Sequence, residues 1–311
     1  MSHANRQLTW WKEGWEIGGN VMQLFDVAVK RRREEDEVQM INAHKPKCCP
    51  HCNNLRISRF GQTKNGLQRY LCDFCRKTFT PVTGTAFENS RLPLGDWLQY
   101  AATMAHSELL SEETRMMLHE EVPDWRRLLF RAAAIHKKSI VFSGLLELWS
   151  VSWLWRPRTK VETDGQEKRR AFITIGVGRS AGRTCNVFYY DGEEAPKPET
   201  ILANFKENIK EKTVLLHRNQ DTGLYKMLVN ALELKAMPVD AEDTSPSNSA
   251  INVIIPEVQE ELLSFLNSHK KWLYQGIQGY LDLFGFCLNT NADKFCQIKI
   301  LRDIVLEMRR E

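Results

Sequence analysis

The sequence predicts an α/β protein made of a small cysteine-rich ribbon, a short helical region, and a mixed sheet flanked by helices. Three observations point there. Two Cys-x-x-Cys pairs, separated by nineteen residues, lie near the N-terminus. Helix-period stretches follow them, and beyond residue 140 a series of strand-like runs gives way to alternating helical and strand-like segments.

The composition suits that class. The chain has 311 residues, 42% apolar and 26% charged, which is ordinary for a folded chain with a sizeable core. No apolar run approaches the roughly 18–20 residues needed to cross a bilayer. The first thirty residues carry Lys12, Glu13 and Glu16 where a secretion signal would need an apolar core. The expectation is a cytoplasmic protein with no membrane partner.

Five of the eight cysteines crowd together as Cys48, Cys49, Cys52, Cys72 and Cys75, while Cys185, Cys287 and Cys296 stand alone. In a reducing compartment such clustering favours a metal over disulfides. Cys49-Pro50-His51-Cys52 and Cys72-Asp73-Phe74-Cys75 each turn tightly enough to aim two thiolates at one ion, and together they complete a tetrahedron. Zinc is the ion expected, held by Cys49, Cys52, Cys72 and Cys75. Cys48 and His51 are left out, because either would break the two-residue loop. Between the pairs, runs at 56–60 and 68–71 flank Lys64-Asn65-Gly66, a hairpin signal.

The net charge of +4 matters less than its distribution. From Lys45 to Thr80, eight basic residues face Asp73 alone, an excess expected of a phosphate-binding surface. Arg56, Arg59, Lys64 and Arg69 are its candidate DNA contacts.

The remaining segments follow in order. Residues 1–44, with Trp10, Trp11, Trp15 and the run Arg31 to Glu37, read as an exposed helical arm. Residues 45–90 are the ribbon. Residues 91–140 are helical: one helix presents Leu94, Trp97, Leu98 and Ala101, a second runs from Ser111 through Leu118, and a third starts at Pro123. The third buries Trp125, Leu128, Leu129 and Ala132 and leaves Arg126, Arg127 and Arg131 outside, as the reading helix of a helix-turn-helix would. A small helical subdomain with a solvated basic face fits the same pattern. Residues 141–311 hold strands at 145–154, 160–163, 171–177, 185–190 and 213–217, with helices at 198–209 and 223–232. A polar loop at 241–250 precedes helices at 256–268, 275–288 and 293–310. Consecutive strands, then alternation, then closing helices suit a ribonuclease H-like domain.

Several stretches together resemble bacterial insertion-sequence transposases with an N-terminal zinc ribbon and a metal-dependent DDE-type domain. They are Gln68 to Phe79, then Thr83-Gly84-Thr85-Ala86-Phe87 leading to Leu92-Pro93-Leu94 and Trp97, then Phe265 to His269, and Gln278 to Phe284. The likeness runs from about 45 to 290. It implies double-stranded DNA, in particular transposon ends, as partner, a homo-oligomer or larger nucleoprotein complex, a nucleoid association, and a ribonuclease H-like catalytic fold.

Magnesium-dependent phosphoryl transfer needs carboxylates converging from separate elements, because hard cations require oxygen ligands. Where the resemblance places the first acid, after Leu145-Leu146-Glu147-Leu148, the sequence has Trp149, which cannot ligate magnesium. The second should end the strand Val214-Leu215-Leu216, where His217-Arg218-Asn219 stands. The third falls on Pro256. A shifted match offers Asp164, Asp221 and Glu257 as catalytic acids with magnesium. Each has a structural role available: Asp164-Gly165 as a hairpin turn, Asp221 as a helix cap, Glu257 beside a helix N-terminus. The sequence therefore reads as a transposase-derived, zinc-containing DNA-binding protein that has lost strand transfer. The rivals are an active transposase using the shifted acids and a zinc-ribbon transcription regulator.

Overall fold

The computed structural model describes residues 27–88, 93–105, 123–155, 169–180, 183–217, 222–238, 246–269, 273, 276–290 and 294–309. Trp10, Trp11 and Trp15, the helix expected at 111–118, the strand expected at 160–163, Asp164 and Asp221 lie outside them.

Helix α1 (Val27–Asn42) leads into a three-stranded ribbon of β1 (Ile57–Gln62), β2 (Gln68–Cys72) and β3 (Thr78–Phe79). The strands pair in the order β1-β2-β3, both pairings antiparallel. The β1–β2 turn uses Gly66 at φ 82°, a left-handed conformation that costs glycine little. The C-terminal half of α1 is not the exposed arm expected from its charges. Ile41 is buried in the main core, and Asn42 clamps the ribbon hairpin by donating to the Gly66 carbonyl and accepting from the Gln68 backbone N–H. Glu37 accepts from the backbone N–H groups of Leu94 and Gly95, at the start of α2 (Leu94–Ala105). A carboxylate there satisfies orphan donors and complements the helix dipole.

Helix α3 (Pro123–Ser139) opens on its proline, as expected. A five-stranded mixed sheet follows, built from β4 (Leu145–Trp155), β5 (Arg169–Ser180), β6 (Arg183–Gly192), β7 (Val214–His217) and β8 (Lys235–Pro238). Its order is β6-β5-β4-β7-β8. The first three strands form an antiparallel meander, while β7 runs parallel to β4 and β8 parallel to β7. Helix α4 (Pro198–Phe205) connects β6 to β7, and α5 (Thr222–Leu232) connects β7 to β8. Helices α6 (Pro246–His269), α7 (Ile277–Asn289) and α8 (Lys294–Glu307) close the chain. No helix among the described residues is long and apolar enough to cross a membrane.

Side chains alternate across a strand, so β4 and β5 feed two cores. Val151, Trp153, Ile173, Ile175 and Val177 face a large cluster shared with α2, α3, α6, α7 and α8. Leu146 and Leu148 face a second cluster with Val187, Ile201 and Phe205 of α4, and Leu228 of α5. Gly176 and Gly178 lie opposite Leu148 and Leu146 and are what lets the second layer close. A Cβ on Gly176 would stand 2.5 Å from the Phe205 ring, and one on Gly178 would stand 2.4 Å from that of Phe142.

Two elements depart from the sequence expectation. The loop expected through Ala250 is already helix from Pro246, a residue suited to a first turn because its missing N–H has no helical partner there. The short strand β8 is not signalled by periodicity, and its Lys235, Ala236 and Met237 are exposed at the sheet edge.

Candidate metal centre and nucleic-acid interface

The two Cys-x-x-Cys turns are near copies of each other. In the first, the Asn53 N–H donates to the Cys49 carbonyl and the Cys49 N–H to the Asn54 carbonyl, both at 2.9 Å. In the second, the Arg76 N–H donates to the Cys72 carbonyl at 2.9 Å and the Cys72 N–H to the Lys77 carbonyl at 3.0 Å. Each turn closes on a non-glycine residue with positive φ, Asn53 at 57° and Arg76 at 60°. A left-handed residue directly after the second cysteine folds both thiols of a pair back to one side. The conformation is costly for arginine and is held by what the thiols share.

The four Sγ atoms lie within 4.8 Å of one another. Cys49 to Cys75 and Cys52 to Cys72 are both 3.6 Å apart. Sulfurs at the corners of a tetrahedron with zinc–sulfur bonds of roughly 2.3 Å would be about 3.8 Å apart, so the donor set fits a tetrathiolate ion. Backbone N–H groups favour the thiolates, but burial still pushes the Cys49 thiol up, and, against the Asn54 N–H, burial and the neighbouring thiols push Cys52 up to about 12. The Cys75 N–H, against desolvation and aided by the Phe74 N–H, holds the Cys72 thiol down to about 7. The His51 N–H points at the Cys49 sulfur at 3.4 Å. Cys48 stays outside the cluster, and the His51 ring is exposed, edge-on to Phe79. The ribbon's own core is only Cys49, Cys72, Tyr70 and Phe79, with the last two rings stacked at 5.7 Å. A core that small needs a cross-link.

The ribbon is fastened to the rest of the chain on one side. His44 pairs with Asp303, Lys47 with Glu307, and Arg309 donates to the Thr83 carbonyl, so α8 and the residues after it hold the ribbon's base. Strand β1 and the residues flanking it are open and basic. Arg56, Arg59 and Lys64 are exposed, and Arg69 is half-buried, its guanidinium over the Phe60 ring at 5.4 Å and bonded to Thr78. Strand register separates these cations. Arg59 stands opposite Tyr70, whereas Ser58 stands opposite Leu71, and the Arg69 guanidinium over Phe60 puts that ring on the Ser58 and Leu71 face; Arg56 precedes β1.

The helical candidates divide differently. Arg127 is exposed and pairs with Asp124 at 3.2 Å. Arg131 is exposed and donates to the Arg309 carbonyl. Arg126, expected outside, is only 7% exposed and lies near Tyr100. The helical period could not show this, because α3 is covered on two sides, by α7 and by α2 with α8.

Of the acids in the shifted match, Glu257 lies on α6 and is exposed. Trp149 sits on the central strand β4, opposite Ile175, and packs half-buried against the main core. Glu147, two residues earlier, is buried between the registers of Val177 on β5 and Leu216 on β7. Sequence pattern gives no means of separating the exposed Phe60 and Phe74 from the buried Tyr70 and Phe79.

No family model matches the chain. A protein of Halobacterium salinarum, described as an uncharacterized protein in transposable element ISH50, is 36% identical over 76 residues. The match covers 24% of this chain and 26% of that protein, so the chain spans about a quarter of the relative's length. Over that stretch the chain is related to a protein carried by a transposable element, and it holds a four-cysteine cluster able to bind a metal ion.

Proposed function

We propose that the chain is a transposase-derived DNA-binding protein that grips double-stranded DNA through a zinc ribbon and performs no strand transfer. Zinc is held by Cys49, Cys52, Cys72 and Cys75 and supplies structure alone, since four thiolates leave no open position for a substrate. Residues 45–90 act as the ribbon, 91–140 as a helical DNA-contacting region, and 141–311 as a ribonuclease H-like domain. The antiparallel meander β4–β5–β6, continued by the parallel strands β7 and β8 and closed by helices, supports that last assignment.

The observation that carries the loss of activity is Trp149. Its indole occupies a central-strand position and packs into the main core, where a metal-bound phosphate pair would require an oxygen ligand and space. Glu147 lies two residues away along the strand, roughly 6–7 Å, on the same face. A two-metal site spans only about 4 Å between its ions and does not absorb that displacement. Incubation of the zinc-loaded protein with transposon-end duplexes and magnesium or manganese should yield no cleaved or joined product. Metal-dependent product that disappears in Asp164→Ala, Asp221→Ala or Glu257→Ala would establish the active enzyme instead.

A further inference from the structure

Three large apolar side chains are conspicuously exposed on the ribbon: Leu55 at 75%, Phe74 at 73% and Phe60 at 49%. They are half of the large apolar residues exposed among the described residues, in a stretch of twenty. The Asp73 N–H donates to the Arg56 carbonyl at 3.0 Å, which joins the rims of the two cysteine turns; Leu55 and Phe74 are the residues next beyond that bridge on the two segments. Ser58 donates to Asp73 as well, so the face bearing Phe60 and Arg69 continues into that rim. From Phe60 to the bridge is about four strand residues, roughly 13 Å.

We infer that these exposed ribbon side chains, Phe60 with Arg69 and Phe74 at the second cysteine turn, are stacking sites for unpaired nucleotides, which deepens the DNA-binding reading and rests on it. Charge complementarity names the occupant. The ribbon carries eight basic residues against one acid, and a four-thiolate zinc site removes only two of those charges. A polyanion is therefore favoured over a second copy of the same basic surface. The rings then choose among polyanions. A phenyl ring cannot hydrogen-bond a phosphate, on a base edge it finds only the thymine methyl, and duplex bases hide their faces against each other unless a step is unstacked. An unpaired base offers its π-face without the cost of unstacking a duplex, and the Arg69 guanidinium over Phe60 extends the surface available to it. Phosphates on either side would meet Arg56, Arg76 and Lys77, all exposed. The ligand is a short single-stranded segment, such as the frayed or overhanging end of a duplex.

The test is fluorescence anisotropy of the full, zinc-loaded chain with oligothymidylate, a blunt hairpin duplex, and that duplex with a single-stranded overhang. The expected result is tighter binding to the overhang duplex than to the blunt one. Phe60→Ala/Phe74→Ala should weaken oligothymidylate binding on the order of ten- to a hundredfold. Its zinc content and blunt-duplex affinity should be unchanged, and Phe60→Tyr/Phe74→Tyr should retain single-strand binding. Equal losses on both DNA forms, or no loss on either, would overturn the inference. So would a change in sedimentation with oligothymidylate binding intact, which would mark these side chains as a contact between copies. Wild-type binding to duplex but not to single strands defeats this inference alone, whereas binding to neither defeats the DNA-binding reading beneath it.

Discussion

At the residue scale the decisive groups are the four thiols. Each is brought to the others by a turn that carries strain at Asn53 or Arg76, and the ribbon's own apolar cluster has only four buried side chains to oppose that strain. Removing one ligand should therefore unfold the ribbon rather than loosen it. Cys72→Ser is expected to lose its single zinc equivalent in elemental analysis and to lose duplex affinity with it, while the far-UV signal of the helices remains. Wild-type protein prepared without chelator and free of zinc would show that the cluster is not a metal centre. Arg126 teaches a different lesson at this scale. Three arginines in six residues look alike in sequence, yet one is buried beside Tyr100 and two face solvent.

At the scale of elements, the sheet depends on what β5 lacks. Gly176 and Gly178 remove side chains from one face of the strand, and Phe205 and Phe142 occupy the space. The core rings have nowhere to retreat, since both are fully buried. Gly176→Ala should therefore cost about 1–3 kcal/mol in urea unfolding, through overpacking. A cost near zero would mean that α4 slides freely on the sheet. The same scale explains the expectations that needed correction. Helix α1 reads as solvated because its sequence is charged, but Glu37 and Asn42 are used as ligands for the backbone of α2 and of the hairpin. Neither bond is local, so no window of the sequence displays it.

For the whole molecule, two buried carboxyls bear on stability. Asp191 accepts from Thr174 and Asn204, and Asp282 pairs with Lys137 at 2.7 Å between α7 and α3. Burial pushes both above the ordinary value of 3.8, against the hydrogen bonds and, for Asp282, against the Lys137 charge. The folded chain thus holds these protons more tightly than the unfolded chain does. Their contribution to stability is complete below 3.8 and is lost as pH rises through the raised folded values. Asp191→Asn cannot ionise, so its urea stability should fall less than wild type between about pH 4 and pH 7, other carboxylates being common to both. Parallel curves for the two proteins would refute the assignment.

What the sequence determined by itself were the features written in short-range spacing. The cysteine pairs are each three residues apart and fix their own turns, so the four ligands, the hairpin at Asn65-Gly66 and the ribbon's basic excess were legible. The meander followed by alternating helix and strand was legible too, because the change from period 2 to period 3.6 survives in sequence. Tertiary structure alone decided which face of each element is covered. It buried Arg126 and Glu147, left Phe60 and Phe74 in solvent, and tied the ribbon to α8 through His44, Lys47 and Arg309. Those outcomes depend on partners up to 260 residues away, and burial is set by neighbours in space rather than in sequence.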